Sequence, residues 1–136
     1  MRFVDTNVLI YAISRDPDEA EKAERANEVL AARDLALSVQ VLQEFYVQAT
    51  RASRPDALTH RQAVRLVESF TRFPVAEITV DVVRAALATR DRFGLSYWDA
   101  AILEAARSLG CGVVLSEDLG HGEDYRGMRV ENPFRG

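Results

Sequence analysis

Arg2-Phe3-Val4-Asp5-Thr6-Asn7-Val8-Leu9-Ile10 opens the chain, and the reading of this string decides the fold. Arg2–Val4 is a short apolar run that predicts a strand, and Asn7 to Ile13 predicts a short apolar helix after it. Asp5 sits at the junction. Alone, an acid there is a helix cap. Its company says more. Glu44, Asp99 and Asp118 each stand at or just past a point where an apolar strand gives way to a helix or turn. Carboxylates gathered at one edge of a sheet point to a divalent cation, and a cation there points to phosphate chemistry.

Outward from this string, the same alternation continues. Asp16-Pro17 supplies an N-cap and a first-turn proline for a helix to about Arg33, where Asp18–Lys22 and Glu21–Arg25 predict a self-paired, solvated face. Leu35–Ser38 reads as a strand, and Val39 to Ala52 as a helix with Val41, Leu42, Phe45 and Ala49 inward. Arg54-Pro55-Asp56 breaks it. Thr59 with Gln62 forms a capping-box pattern and opens a helix with the stripe Ala63, Val64, Val67 and Phe70. Val75–Ile78 is a third strand. A helix from Asp81 to Phe93 stops at Gly94, and another from Ser96 to Leu109 stops at Gly110. Val113–Leu115 is an apolar strand, followed by the loop Ser116–Gly122, a last strand at Met128–Val130 and a polar tail.

Short, wholly apolar strands alternating with helices predict an α/β fold, a mostly parallel sheet covered by helices on both faces. Right-handed crossovers put the strand carboxyl ends along one edge, where such sheets bind ligands. Four acids far apart in sequence can therefore converge there.

Composition sets bounds. The 136 residues, 48% apolar and 28% charged, read as one domain (1–136) with a real core. No run is long enough to span a bilayer, and nothing at the start reads as a removable leader, so a cytoplasmic protein is the expectation. The single cysteine, Cys111, excludes an internal disulfide and a cysteine-based zinc site. A net charge of −4 argues against binding nucleic acid by bulk charge. The stretch Arg51 to Arg72 is nonetheless basic. Arg51, Arg54, Arg61 and Arg65 are candidates to grip an RNA backbone; the competing reading of Arg61, Arg65, Glu68 and Arg72 is the wet face of an amphipathic helix.

Each acid also has a plainer reading. Asp5 can cap its helix, Asp99 completes Ser-x-x-Asp with Ser96, and Asp118 lies in a Gly-rich loop where Asp is a common turn residue. Glu44 resists. Its helical neighbours Gln40, Val41, Val47 and Gln48 offer it no opposite charge, and it borders the apolar face of Leu42 and Phe45. Together the four favour a site: two like charges about 4 Å apart repel by about 4 kcal/mol at an effective dielectric of ~20. Oxygen ligands without His or Cys suit Mg²⁺ or Mn²⁺. Thr6 and Ser116 are adjacent hydroxyls that can orient the carboxylates.

Val4-Asp5-Thr6-Asn7, Gln43-Glu44, Ser96-Tyr97-Trp98-Asp99-Ala100-Ala101-Ile102 and Leu115-Ser116-Glu117-Asp118-Leu119 resemble the PIN-domain family, in particular its VapC-type toxin ribonucleases. The resemblance spans essentially the whole chain. Asp-Thr-Asn is a weak signal; Tyr-Trp-Asp-Ala-Ala with the late Ser-Glu-Asp-Leu loop is more specific. It implies a PIN-like three-layer sandwich and a metal-dependent endoribonuclease, the toxin of a toxin–antitoxin module. Asp5, Glu44, Asp99 and Asp118 carry over as the catalytic and metal-binding acids, with Thr6 and Ser116 as accompanying hydroxyls. Glu117 adjoins Asp118 and can share its role. The resemblance also implies a homodimer and a cognate antitoxin that blocks the acidic site, often through a basic residue.

The mechanism this predicts uses Mg²⁺ to lower the pKa of water and stabilise charge on phosphate. In-line attack leaves a 5′-phosphate and a 3′-hydroxyl. His60 and His121 are not required, although His121 lies near Asp118 in the late loop. Two rivals fail on residues: a phospho-receiver needs a lysine near the chain's end, yet Lys22 is the only one, and a haloacid-dehalogenase phosphatase needs Asp two beyond Asp5, where Asn7 stands. A catalytically silent RNA- or protein-binding module of the same fold is the remaining alternative.

Overall fold

The computed structural model describes residues 1–135. Its strands are β1 (Arg2–Val4), β2 (Leu35–Ser38), β3 (Val75–Ala76), β4 (Val113–Leu115), β5 (Asp124–Tyr125) and β6 (Met128–Glu131). The helices are α1 (Thr6–Ala12), α2 (Ala20–Leu30), α3 (Val39–Ala49), α4 (His60–Phe70), α5 (Val80–Phe93) and α6 (Tyr97–Ser108). The sheet order is β3-β2-β1-β4-β6-β5. All neighbours pair in parallel except β5, which is antiparallel to β6. The expected mostly parallel α/β sandwich is what the chain forms.

Burial explains the covering on both faces. Leu35, Ala36, Leu37 and Ser38 of β2 are all buried, and successive strand residues point to opposite faces. Helices must therefore close both. α6 packs on β2, β3 and β4 with α5 outside it, while α3 packs on β2 with α1 and α4 against it. Every residue from Ala100 to Ala106 is buried, so α6 is a helix enclosed on nearly all sides. Its one buried charge, Glu104, is met by Arg107 Nε at 3.0 Å and the Thr89 hydroxyl of α5 at 2.9 Å. Phe45 of α3 is fully buried and stacks edge-on against Phe70 of α4 at 5.1 Å.

Chain order and sheet order place the site. From β1 the chain winds through β2 to β3 at one side, then returns across to β4 on the other side of β1. The crevice beyond the carboxyl ends of β1 and β4 is thus the topological switch point, the usual ligand position in such sheets.

Several local expectations are corrected. Asp16-Pro17 starts a 3₁₀ turn, Pro17–Glu19, with α2 beginning only at Ala20. Lys22 and Arg25 leave their helical acids: Lys22 pairs with Glu117 at 2.5 Å, and Arg25 with Glu28 at 3.2 Å. α3 ends at Ala49 rather than Ala52. β3 stops at Ala76, leaving Ile78 exposed. Val64, expected on the inward stripe of α4, is at the surface. β5 was not foreseen: Arg126 and Gly127 both take positive φ, 56° and 88°, making a two-residue hairpin turn of the type usually signalled by Asn-Gly. Gly94, at φ 69°, ends α5 as its sequence position predicts.

Candidate active site

Asp5 is held from three sides. It ends β1, its backbone N–H donating to Leu115 of β4 at 3.0 Å. It also caps α1, as the plain reading required: Oδ1 accepts from Thr6 N–H at 2.7 Å. The other oxygen accepts from the Ser116 hydroxyl at 2.7 Å. Asp5 is 8% exposed and Ser116 fully buried. Capping and site membership therefore coexist, because α1 starts at the switch point.

The remaining acids reach the same place from separate elements. Glu44 of α3 accepts from the Thr6 hydroxyl at 2.9 Å and from Gln40 Nε2 at 3.5 Å. No opposite charge meets Glu44 from its own helix, as expected; the Thr6 hydroxyl and the Gln40 amide serve it instead. Asp99 lies in the first turn of α6, where its backbone N–H donates to Ser96 Oγ at 3.1 Å. Its carboxylate makes no reciprocal bond to Ser96 among the described residues. Ser96 does the capping, which leaves the acid to the cavity. Asp118 accepts from Asn7 Nδ2 at 3.1 Å, and its backbone N–H donates to Ser116 Oγ at 3.1 Å. Asp5, Glu44, Asp99 and Asp118 all line one cavity of about 120 Å³, with Thr6, Asn7, Gln40, Gln48, Trp98 and Ile102.

Proximity shows in the electrostatics. The Asp5 carboxyl is pushed up to about 6, first by burial and further by the charges of Glu44 and Asp118. The bonds from Ser116 and Thr6 oppose that rise. An acid enclosed with like charges is stabilised by a cation. The donor set, carboxylate, hydroxyl and amide oxygen, has the hardness that Mg²⁺ or Mn²⁺ prefers. Among the described residues, however, no three acidic, imidazole or thiol groups stand close enough to enclose an ion as they are. The acids share a cavity without forming a closed cage.

Two residues escaped the sequence reading. Asn7 is the hub of the site. Its Nδ2 faces Asp118, Ser116 at 3.3 Å and Asp5 at 3.5 Å, while its Oδ1 accepts from Glu117 N–H at 3.3 Å. The signal was its place in the first turn of the helix that Asp5 caps. Gln40, buried on the cavity side of α3, is the other.

Glu117 turns away from the acids. It accepts from Tyr11 Oη at 2.6 Å and from Lys22 at 2.5 Å, and these partners hold its carboxyl below the usual range against the effect of burial. The arginines separate. Arg51 lines the groove that adjoins Glu44 and Trp98. Arg54 is tied to Asp56 at 2.7 Å, while Arg61 and Arg65 are exposed on α4 outside the acid cavity. His60 Nδ1 meets Tyr46 Oη at 2.8 Å and His121 Nδ1 accepts from Asn132 N–H at 3.1 Å; the cavity lining includes neither.

Fold and site together define a parallel α/β domain with an acidic cleft at its switch point. The sequence model of the PIN domain matches residues 2–123, and the chain belongs to the PIN domain family. No curated protein matches it significantly. Among solved structures it resembles a toxin–antitoxin complex from Klebsiella pneumoniae, with 22% identity, TM-score 0.71 and 98% of each chain covered. It also resembles FitAB bound to a DNA fragment, with 18% identity, TM-score 0.74, and 99% of this chain and 96% of that one covered. A third is a sarcin–ricin loop cleaving VapC toxin of Mycobacterium tuberculosis, with 23% identity, TM-score 0.65, and 87% and 90% covered. At these identities the likeness is one of fold. Among the described residues no helix is long and apolar enough to cross a membrane.

Proposed function

We propose that this chain is a metal-dependent endoribonuclease and the toxin of a toxin–antitoxin pair. The observation that carries the reading is the convergence of four acids from β1, α3, α6 and the loop after β4 on one small cavity, with Asp5 pushed up to about 6. Asp5, Glu44, Asp99 and Asp118 would hold Mg²⁺ or Mn²⁺. Bound there, a divalent cation supplies Lewis acidity toward phosphate and lowers the pKa of water.

The chain's own groups do the positioning. Thr6 N–H and the Ser116 hydroxyl fix both oxygens of Asp5, Thr6 Oγ1 fixes Glu44, and Asn7 aims Asp118. In-line attack of water on phosphorus, with the 3′ oxygen leaving, gives a 5′-phosphate and a 3′-hydroxyl. Neither histidine lines the acid cavity, so the acceptors there for a proton from water are the carboxylates.

Partners follow the same chemistry. Relatives of this fold are found as toxin–antitoxin complexes, and an acidic cleft accepts an arginine as well as a cation. A cognate antitoxin is therefore part of the proposal, as is a homodimer. One observation favours a second reading, a catalytically silent RNA- or protein-binding module: the acids do not already form a three-ligand cage among the described residues. Incubating the purified chain with single-stranded RNA, with Mg²⁺ or with chelator, separates the two. Mg²⁺-dependent cleavage abolished by Asp5→Asn supports the nuclease. No cleavage by the wild type, or undiminished cleavage by Asp5→Asn, sinks it.

A further inference from the structure

Trp98 is the chain's one tryptophan, and it sits in the first turn of α6 with 64% of its surface open. An indole carries a large apolar area and is on average highly buried. Its surroundings keep it in place. Tyr97 meets the ring edge-on at 5.1 Å and is itself packed on Ala86, Ala100 and Ala101. The Trp98 carbonyl accepts from Gln40 Nε2 at 3.4 Å. The ring borders a groove of about 360 Å³ that it shares with Gln43, Val47, Gln48 and Arg51. Gln40, Glu44, Gln48 and Trp98 line both this groove and the acid cavity, so the two spaces adjoin.

We propose that the groove is a nucleobase subsite. One unstacked base of a single-stranded RNA lies on the Trp98 indole, Arg51 holds the adjoining phosphate, and the Gln43 and Gln48 amides meet the base edge. The inference rests on the nuclease reading of the acid cavity, because it places the neighbouring phosphodiester there. Each group matches one part of a nucleotide. An aromatic face stacks any base, a guanidinium suits phosphate, and a glutamine amide offers both donor and acceptor to a base edge. The volume falls within the range of small-ligand pockets, about 300–1,000 Å³. Single strands are the form in which proteins reach RNA bases by stacking. Arg54 is neutralised by Asp56, which leaves Arg51 as the guanidinium bordering this groove.

The lone tryptophan makes the test direct, since all indole emission comes from Trp98, and the abasic strand separates base stacking from occupation of the adjoining acid cavity. Full-length protein carrying Asp118→Asn, to keep RNA intact, is titrated with a mixed-sequence single-stranded 12-nucleotide RNA, an abasic strand of equal length, and the corresponding duplex. Saturable quenching by the single strand, weak quenching by the abasic strand and none by the duplex are expected. In cleavage by the otherwise native chain, Trp98→Ala raises KM about tenfold with kcat within about twofold, and Trp98→Phe recovers most of the loss. Arg51→Gln lowers the slope of log affinity against log salt by about one. Emission indifferent to RNA while the wild type cleaves it overturns the subsite and leaves the nuclease reading standing. Equal quenching by the abasic strand overturns it as well. Saturable, base-dependent quenching without any cleavage supports the subsite and overturns the nuclease. Emission that responds to protein concentration but not to RNA marks this face as a contact between copies of the chain, which also overturns the subsite.

Discussion

Asp5→Asn should stabilise the metal-free protein at neutral pH and stop doing so in mild acid. The Asp5 carboxyl stands at about 6 in the folded chain against an ordinary 3.8. At 1.36 kcal/mol per tenfold, that difference is about 3 kcal/mol of strain in the ionised form. A raised carboxyl pKa means that the folded chain binds the proton more tightly than the unfolded chain does. Protonation therefore favours folding fully below about pH 4, the benefit declines as pH rises toward 6, and above 6 it is gone. Asparagine removes the ionised form altogether. It still accepts from Thr6 N–H, but its amide nitrogen would face Ser116 Oγ, which already accepts from Asn7 and from Asp118 N–H. That mismatch costs about 1–2 kcal/mol.

The net gain is then about 1–2 kcal/mol at pH 7.5, a rise of a few degrees in melting temperature for a chain of this size. Between pH 7.5 and pH 5 the gain should shrink by roughly 1.4 kcal/mol, because the wild-type carboxyl becomes mostly protonated. The assay is urea unfolding of wild type and variant in chelator at both pH values, compared at each pH so that other titrating groups cancel. A difference between the proteins that is the same at pH 5 and pH 7.5 would refute the reasoning, whatever its size. It would mean that Asp5 is not strained by burial beside Glu44 and Asp118.

Mg²⁺ should raise the melting temperature of the wild type, by about 2.7 kcal/mol of stability at a hundred times its Kd, and much less for Asp118→Asn; equal rises in thermal-shift measurements would separate Asp118 from the metal. Asp99→Asn keeps the backbone bond to Ser96 and should alter metal-free stability by less than about 0.5 kcal/mol, while cutting RNA cleavage at least about a hundredfold. Asn7→Asp adds a charge facing Asp118 at 3.1 Å and should destabilise the metal-free chain by about 2 kcal/mol or more at pH 8, a loss that Mg²⁺ reverses; a loss that Mg²⁺ leaves unchanged would make Asn7 a packing residue. Arg107→Ala leaves Glu104, 5% exposed, with Thr89 as its one partner among the described residues and should cost about 3 kcal/mol in urea unfolding.

What the sequence disclosed follows from what each residue depends on. β1, β2, β4 and the ends of α5 and α6 were legible because they rest on local rules: an apolar run, a serine cap, a glycine at the helix end. The convergence of the acids was legible because parallel topology alone aligns strand ends. Partners chosen across the chain were not. Lys22 has two acids within helical reach and bonds instead to Glu117, 95 residues away. Glu44 finds Thr6, 38 residues away. The Arg126-Gly127 hairpin was hidden because arginine does not advertise a positive φ. Phe134, in a tail read as polar, packs edge-on against Tyr11 at 4.8 Å, and that contact depends on where β6 delivers the chain.

These long-range partners also explain how a strained site stays ordered. Asp5 and Asp118 are held by donors from two segments that come together only when β1 pairs with β4: Thr6 and Asn7 on one side, Ser116 on the other. Glu117 then anchors the same loop outward through Tyr11 and Lys22, drawing its charge away from the cavity. Asp99 has only its helix to place it, and Glu44 is tied through Thr6 and Gln40. Half of the site is therefore fixed by the sheet and half rides on α3 and α6. Repulsion between Glu44 and Asp5 acts across that division, so a cation bound by the four acids should tie both helices to the sheet as well as relieve Asp5. Hydrogen exchange makes the point separable: Mg²⁺ should slow the amides at the start of α6 and along α3, and leave those of β1 and β4 unchanged, because the core already holds the strands.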